Sequence, residues 1–216
     1  MRHPLGVGVP GEMTERSADP EFDAVVMFHG HLCLDIALGY RVAKAAMRAL
    51  ACERPRDEEL VAVVETDACS VDAIQAVTGC TFGKGNLVYR PYGKAAYTFF
   101  DRRTGDAVRI YGHFWETFDR GEGMAFTALM NRVLAGGALS DERERFGRTM
   151  NDLSLRILAT PQDQLFRISK VSGSPPSSAR IFSSAACNRC GEWTMETRLA
   201  ASGDRRLCLP CLGVES

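Results

Sequence analysis

The stretch Leu60-Val-Ala-Val-Val-Glu-Thr66 decides the fold class of this chain, because it is a short, mostly β-branched run typical of a buried strand. Before it, residues 33–50 carry apolar side chains over a broad face, as a buried helix does. After it, the pattern predicts a helix at 70–77, with Asp67 as its N-terminal capping residue. The core is therefore expected to contain a strand between two helices.

The rest of the pattern up to residue 171 predicts a sheet covered by one layer of helices. Further strands are expected at 86–90, 95–102 and 107–111. The turn Thr104-Gly105-Asp106 joins the last two of these strands as an antiparallel hairpin. Further helices are expected at 21–28, 123–135 and 139–158, and a last strand or extended arm at 165–171. This arrangement belongs to the α+β class, with a mixed helix and antiparallel-sheet core.

The composition of the 216 residues is that of an ordinary globular protein, with 45% hydrophobic and 25% charged residues. It excludes a largely disordered chain, a coiled coil and a collagen-like rod. The formal net charge of −1 also argues against a strongly basic nucleic-acid-binding protein. No apolar stretch is long enough for a membrane span, and residues 1–20 contain no apolar signal region. We therefore expect a cytoplasmic protein whose reduced cysteines serve as metal ligands or reactive groups.

Four segments of different composition are expected along the chain. Residues 1–20 form a mobile leader with scattered glycines, prolines and charges, and residues 21–171 form the α+β core. Residues 172–186 form a linker, because Ser172-Gly-Ser-Pro-Pro-Ser-Ser178 carries no side chains that pack into a core. Residues 187–216 form a small module with four cysteines.

The cysteines of the C-terminal module are spaced for one zinc ion. Cys187 and Cys190 form one Cys-x-x-Cys pair, and Cys208 and Cys211 form another after 17 intervening residues. Four thiolates complete the tetrahedron that structural zinc prefers. Since a module of this size builds only a small core, the zinc is expected to stabilise its fold.

The residues of the zinc module do not decide which partner it binds. Four arginines either gather into a basic face for nucleic acid or form an ordinary solvated surface: Arg189, Arg198, Arg205 and Arg206. A module that binds a protein would instead expose Trp193, Met195 and Leu199. The balanced charge of the chain gives nucleic acid the weaker support.

A second group of metal-binding residue types, His29, His31 and Cys33, lies near the N-terminus. Since alternate residues do not share a face of a continuous helix, a common site needs a bend, which Gly30 permits. Cys33 is expected in the first turn of the next helix, where the helix N-terminus favours its thiolate. Cys69 directly follows the predicted strand, a position at which α/β proteins often place ligands or catalytic groups.

The glycine-rich loop at 78–85 contains two further candidates, Cys80 and Lys84. The loop superficially resembles a phosphate-binding loop, but its glycine spacing is one residue short. In addition, Gly85 occupies the position of the Ser or Thr that binds magnesium. Cys80 is an additional candidate metal ligand, and Lys84 is a candidate anion or acid partner.

Three motifs follow one another along the core: Phe-His-Gly-His-x-Cys at 28–33, Glu-x-Asp-x-Cys-x-x-Asp-Ala-Ile-Gln at 65–75 and Thr-Gly-Cys-Thr-x-Gly-Lys-Gly-Asn at 78–86. Together they resemble the FmdE family, which takes its name from formylmethanofuran dehydrogenase, and the resemblance extends over residues 22–171. It implies an α+β core, a tightly intertwined homodimer and a metal site. The residues carried over are His29, His31, Cys33 and Cys69, with Cys80 and Lys84 nearby. Some members of the family also carry a C-terminal zinc finger. This chain has Leu34-Asp35 where family members usually have Pro-Gly.

The first functional hypothesis is an accessory or redox-type metalloprotein. His31, Cys33 and Cys69 would hold a transition metal in the core, with His29 as a further ligand. Imidazole and thiolate ligands suit zinc, iron or copper, and zinc or iron is favoured. If the site is catalytic, Cys33 and Cys69 are candidate nucleophiles or ligands and Lys84 is their candidate partner.

The alternative is a regulator whose core senses a metal or a small ligand and whose zinc finger contacts a protein or nucleic acid. A third interpretation is an interaction protein whose core cysteines are only structural. The helices predicted after residue 123 offer apolar residues that form either a dimer interface or intrachain core: Phe126, Leu129, Met130, Val133, Leu153 and Ile157.

Overall fold

The computed structural model describes residues 19–117 and 120–214 of the chain. The chain divides into two units between Ser178 and Ala179. The leader predicted at 1–20 lies outside the described residues up to residue 18, and the first helix begins at Pro20. Among the described helices, none has both the length and the apolar character needed to cross a membrane.

A five-stranded sheet lies at the centre of the first unit, in the order β2-β1-β3-β4-β5. Its strands are β1 (Leu60–Val64), β2 (Leu87–Tyr89), β3 (Ala96–Asp101), β4 (Ala107–Gly112) and β5 (Phe166–Lys170). The helices are α1 (Pro20–His29), α2 (Leu34–Ala49), α3 (Ser70–Thr78), α4 (Arg120–Leu134), α5 (Ser140–Ala159) and the short α6 (Gln162–Leu165), with a 3₁₀ turn at Phe114–Thr117. These bounds confirm the α+β class.

The helical layer covers one face of the sheet, as the sequence predicts. All five residues of β1 are buried, and alternate ones, Leu60, Ala62 and Val64, join the same hydrophobic core as α2. The broad apolar face of α2 is buried in this core, with Ile36 and Val42 completely inaccessible to solvent. Removing this apolar surface from water is the main stabilising contribution to the core.

The pairing of β1 with β2 differs from the predicted antiparallel sheet. These two strands are parallel, with Ala62 opposite Leu87, whereas β3, β4 and β5 are antiparallel to their neighbours. The chain leaves the C-terminal end of β1, passes through α3 and returns to the N-terminal end of β1. The strand β2 therefore runs parallel to β1. The N-terminus of α3 consequently lies beyond the C-terminal end of β1.

The start of α3 also differs from the prediction that Asp67 caps the helix. The N-cap residue is Cys69, and its side chain makes no capping hydrogen bond. Thr66 stabilises the preceding turn, because its Oγ1 accepts a hydrogen bond from the N–H of Ala68 at 3.2 Å. The carboxylate of Asp67 lies at the surface instead.

The helices α4 and α5 use their apolar faces within the chain. The rings of Phe126 and Phe146 stack with centroids 5.6 Å apart. The other candidates for a dimer interface lie in the same intrachain core, Met130 being partly buried and the rest buried: Leu129, Met130, Val133, Leu153 and Ile157. These six candidate side chains therefore pack within the chain.

The second unit contains two antiparallel strand pairs. β6 (Ser184–Ala186) pairs with β7 (Trp193–Met195), and β8 (Leu199–Ser202) pairs with β9 (Arg205–Cys208), which leads into α7 (Leu209–Leu212). Because β6 lies within the segment predicted as a linker, the folded module begins before residue 187. Its short Ser-Ala-Ala sequence has little strand character by itself, and pairing with β7 gives it this conformation.

Candidate metal centres

The four cysteines of the second unit converge as their spacing predicts. The ligand atoms of Cys187, Cys190, Cys208 and Cys211 all lie within 4.8 Å of one another. Cys190 Sγ and Cys208 Sγ are 3.9 Å apart. A tetrahedron with Zn–S bonds of about 2.3 Å separates its sulfurs by roughly 3.8 Å, so these residues fit a four-thiolate zinc site.

Backbone N–H groups prepare Cys187 to bind the ion. The N–H groups of Cys190, Cys208 and Arg189 lower the pKa of Cys187 to about 6. Two of these hydrogen bonds, from Cys208 and Arg189 to Sγ, measure 3.4 and 3.5 Å. The thiolate is the form that binds metals, so Cys187 is ready to bind zinc near neutral pH.

A bend between α1 and α2 brings three core candidates together. Gly30 caps α1 with a φ of +97°, a left-handed conformation that glycine adopts without strain. His29 is the last residue of α1, and after the bend Cys33 is the N-cap of α2. The ligand atoms of His29, His31 and Cys33 all lie within 4.8 Å of one another. The predicted cluster is therefore formed in space.

His29 has one ring nitrogen with a partner and one without. Its Nδ1 lies 2.8 Å from Asp72 Oδ2, and its side chain is only 10% exposed. Its Nε2 is buried and has no hydrogen-bond partner among the described residues. Since an unsatisfied buried polar atom is costly, this nitrogen marks a place for a ligand, and a metal ion fits the donors around it.

Asp72 is a functional candidate that the sequence pattern alone did not reveal. It follows Cys69 by three residues and therefore lies on the same side of the first turn of α3. Its hydrogen bond to Nδ1 leaves Nε2 as the ring atom available to a metal, an arrangement common behind metal-binding histidines. The three-residue spacing from Cys69 is the signal that points to it.

Close packing of α2 against α3 places Cys69 beside this cluster. A Cβ on Gly39 of α2 would lie only 2.3 Å from the carbonyl oxygen of Ser70, so glycine is needed there. The Ser70 hydroxyl is also hydrogen-bonded to that of Tyr97 at 2.7 Å. In this position the Cys69 thiol is near enough to Cys33 and His29 for both to lower its pKa, although it is outside the group of three within 4.8 Å.

The two core thiols have different acidities. A hydrogen bond with Cys33, followed in importance by the charge of His29, lowers the pKa of Cys69 to about 6. The same hydrogen bond and burial raise the pKa of Cys33, and Asp35 adds a smaller effect in that direction. In the protein without a metal, these effects on the Cys33 thiol oppose the helix N-terminus, which favours its thiolate.

The structure does not bring Cys80 or Lys84 to the cluster. Cys80 is fully buried, its Sγ donates to the carbonyl oxygen of Leu60 at 3.3 Å, and burial raises its pKa to about 11. Lys84 Nζ donates to the carbonyl oxygen of Asp57 at 3.4 Å. Both side chains lie at the N-terminal end of β1, whereas Cys69 follows its C-terminal end. Their predicted roles as an additional ligand and a catalytic partner are therefore wrong.

The core cluster combines two imidazoles with two thiols. Partial burial and the neighbouring His29 lower the pKa of His31, which favours the neutral ring that binds metals. His31 is exposed while Cys33 is buried, so one side of the cluster faces solvent. Such donors suit zinc, iron or copper and not magnesium or calcium.

An α+β core with a histidine–cysteine cluster, joined to a four-cysteine zinc module, defines a metal-binding protein of two units. The chain belongs to the family described as FmdE, Molybdenum formylmethanofuran dehydrogenase operon, which matches residues 28–167. Residues 180–216 match the prokaryotic dksA/traR C4-type zinc finger. These matches confirm the family resemblance and the assignment of zinc to the C-terminal site.

Two known proteins are similar to this chain over most of its length. A protein of Archaeoglobus fulgidus described as a probable S-adenosyl-L-methionine-binding protein is 32% identical over 191 residues. The match covers 86% of this chain and 50% of that protein, so the chain spans about half the length of this curated relative. The crystal structure of a tungsten formylmethanofuran dehydrogenase FmdE-like protein from Syntrophus aciditrophicus has a TM-score of 0.51 and 24% identity. It covers 88% of this chain and 89% of that chain, and the likeness concerns the fold alone.

Proposed function

We propose that the core of this protein holds a transition metal through His29, His31, Cys33 and Cys69 and acts as an accessory or redox-type metalloprotein. The observation that carries the proposal is the buried Nε2 of His29, which has no hydrogen-bond partner among the described residues. This nitrogen belongs to a ring held by a carboxylate and grouped with two other metal-binding side chains. A metal ion would satisfy it.

The charges of the two thiols also support a metal ion. With a pKa of about 6, Cys69 is largely a thiolate at neutral pH, and metal binding has to displace one further proton, from Cys33. Two thiolates neutralise a divalent ion, which reduces the cost of holding it in a partly buried site. Zinc would give an accessory role without electron transfer, whereas iron would give a redox role.

Metal content of the full chain tests the proposal. By plasma mass spectrometry on protein purified without chelator, we expect about two metals per chain, one in each site. The double variant Cys33→Ser/Cys69→Ser should retain only the zinc of the finger, and Cys52→Ser, outside both clusters, should retain both metals. One metal in the unmodified chain, or two in the double variant, would refute the core site. Anaerobic absorption and paramagnetic resonance spectra would then distinguish iron from zinc.

We also propose that the chain is cytoplasmic and that it forms a homodimer, the latter as the family resemblance implies. The apolar side chains of α4 and α5 that the sequence offered for an interface pack within the chain, so the dimer would involve other residues. Light scattering on a sizing column should give twice the chain mass of 23.7 kDa. A species of one chain mass at micromolar concentration would contradict the dimer.

A second candidate function is a ligand-sensing regulator, and the relative from Archaeoglobus fulgidus favours it. That protein is described as probably binding S-adenosyl-L-methionine, and the match spans most of this chain. In this function the core would bind the small ligand and the zinc finger would contact a protein. Trp193 and Met195, two residues apart on β7, are 78% and 56% exposed, which suits a protein contact. Leu199 instead packs in the module.

Nucleic acid has weaker support as the partner of the finger. Arg189 donates to the carbonyl oxygen of Cys211, and Arg206 pairs with Glu196. Arg205 and Arg206 are neighbours on β9, so their side chains point to opposite faces. Strongly salt-dependent binding of labelled duplex DNA would overturn the preference for a protein partner.

Calorimetry with S-adenosyl-L-methionine tests the regulator hypothesis. The hypothesis predicts saturable binding, and the absence of binding would refute it.

A further inference from the structure

A cavity of about 290 Å³ lies beside the core cluster. His29 and Cys69 border it, so two of the four proposed metal ligands face the same space. Val64 and Leu87 supply apolar walls, and Tyr89 adds an exposed aromatic side chain to the lining. A space of this size holds a small molecule and is too large for a single water.

The charged groups around this cavity are acidic. Asp67 and Asp72 both line it, and no lysine or arginine does so among the described residues. Asp72 bonds to His29 and to Gln75, and it still contributes a negative charge. Asp67 does not cap α3, and its carboxylate lies at the surface beside the cavity. The cavity therefore combines negative charge with an aromatic ring and apolar walls.

We infer that this cavity binds a small organic cation with a quaternary ammonium or sulfonium centre. This inference rests on the proposed function, because the cavity borders the proposed metal ligands. Such a centre carries methyl groups that fit the apolar walls, and it needs no hydrogen-bond acceptor when it leaves water. The carboxylates attract its charge, and Tyr89 adds to the lining an aromatic ring, a group whose face attracts cations through its quadrupole.

A metal in the core does not repel this cation. The two thiolates of Cys33 and Cys69 together neutralise the charge of a divalent ion that they hold. The field in the cavity is then governed by Asp67 and Asp72, which carry two negative charges. Both carboxylates are near water, so salt should screen the attraction.

Choline and its neutral carbon isostere, in which a tert-butyl group replaces trimethylammonium, test the role of charge directly. Binding to the full, metal-replete chain is followed by the shifts of methyl and aromatic NMR signals at Val64, Leu87 and Tyr89. We expect choline to bind more tightly than the isostere, and its binding to weaken as sodium chloride is added. The sulfonium analogue of choline is the second arm and shows which onium centre is preferred.

A charge variant tests whether the carboxylate of Asp67 contributes to choline binding. Asp67→Asn should weaken choline binding by roughly threefold, the scale of one solvent-exposed charge interaction, and leave metal content unchanged. Asp106→Asn, in the turn between β3 and β4 and outside the cavity lining, should change neither.

The outcomes separate the two proposals. Equal binding of choline and the isostere, or binding of neither, overturns the cation site. Selective choline binding by a chain that holds only the zinc of its finger supports the cavity and removes the core metal. A chain that holds a core metal but does not prefer choline to the isostere supports the metal site and overturns the cation site.

Discussion

Replacing Gly39 by alanine should damage the core cluster from a distance, because Gly39 sets the separation of α2 and α3. The added Cβ would lie 2.3, 2.7 and 2.8 Å from the carbonyl oxygen, Cα and carbonyl carbon of Ser70. Ordinary van der Waals contact begins at 3.4 Å, so the two helices have to separate locally by about 1 Å. All three atoms belong to the backbone, so no rotation of a side chain relieves the clash.

The expected cost follows from two opposing terms. Adding a methyl group to a closely packed interior costs about 1–3 kcal/mol, whereas alanine in place of glycine within a helix gains up to about 1 kcal/mol. A net loss of about 1–2 kcal/mol corresponds to a fall of roughly 2–8 °C in Tm for a domain of this size. Since Ser70 directly follows Cys69, the same displacement moves the Cys69 thiol away from Cys33 and lowers metal affinity.

Thermal unfolding followed by circular dichroism, together with metal content, measures both effects. Gly147→Ala is the matched control, because Gly147 lies within α5 and an added Cβ would meet nothing within 4 Å. The control should be as stable as the unmodified protein or slightly more stable. If Gly39→Ala unfolds at the temperature of the control and keeps its core metal, the argument from helix contact is wrong.

Three further predictions concern the metal centres. Asp72→Ala should lower the zinc affinity of the core by about 10–100-fold, because His29 loses its orienting carboxylate. Competition with a chromophoric chelator measures the affinity, and an unchanged value would contradict the prediction. In protein stripped of metal, Cys69 should react with iodoacetamide with a midpoint near pH 6, because its lowered pKa keeps the reactive thiolate above that pH. Peptide mass spectrometry should show this, and a midpoint near pH 9 would disprove it. Cys208→Ser should abolish the dispersed NMR signals of the second unit and preserve those of the core, because few buried side chains besides the cysteines stabilise that unit; retained dispersion would count against the role of zinc.

The sequence by itself determined the features that depend on neighbours along the chain. The apolar face of α2 and the β-branched run of β1 predict their own conformations, because side-chain periodicity and local sterics act within each segment. The zinc module is predictable for the same reason, since each Cys-x-x-Cys pair forms locally and one short insert joins the pairs. The bend at Gly30 likewise needs only a residue that tolerates positive φ.

Tertiary structure alone decided the features that depend on residues far apart in sequence. It paired β1 with β2 in parallel and placed Cys80 at the far end of β1 from the cluster. It also joined Asp72 to His29 across 43 positions of the chain, which no local pattern encodes. The acidity of Cys69 has the same origin: its pKa depends on a thiol and an imidazole that reach it only when α2 packs on α3. Contacts and electric fields of this kind vary over a few ångströms, whereas sequence periodicity carries no information on such distances.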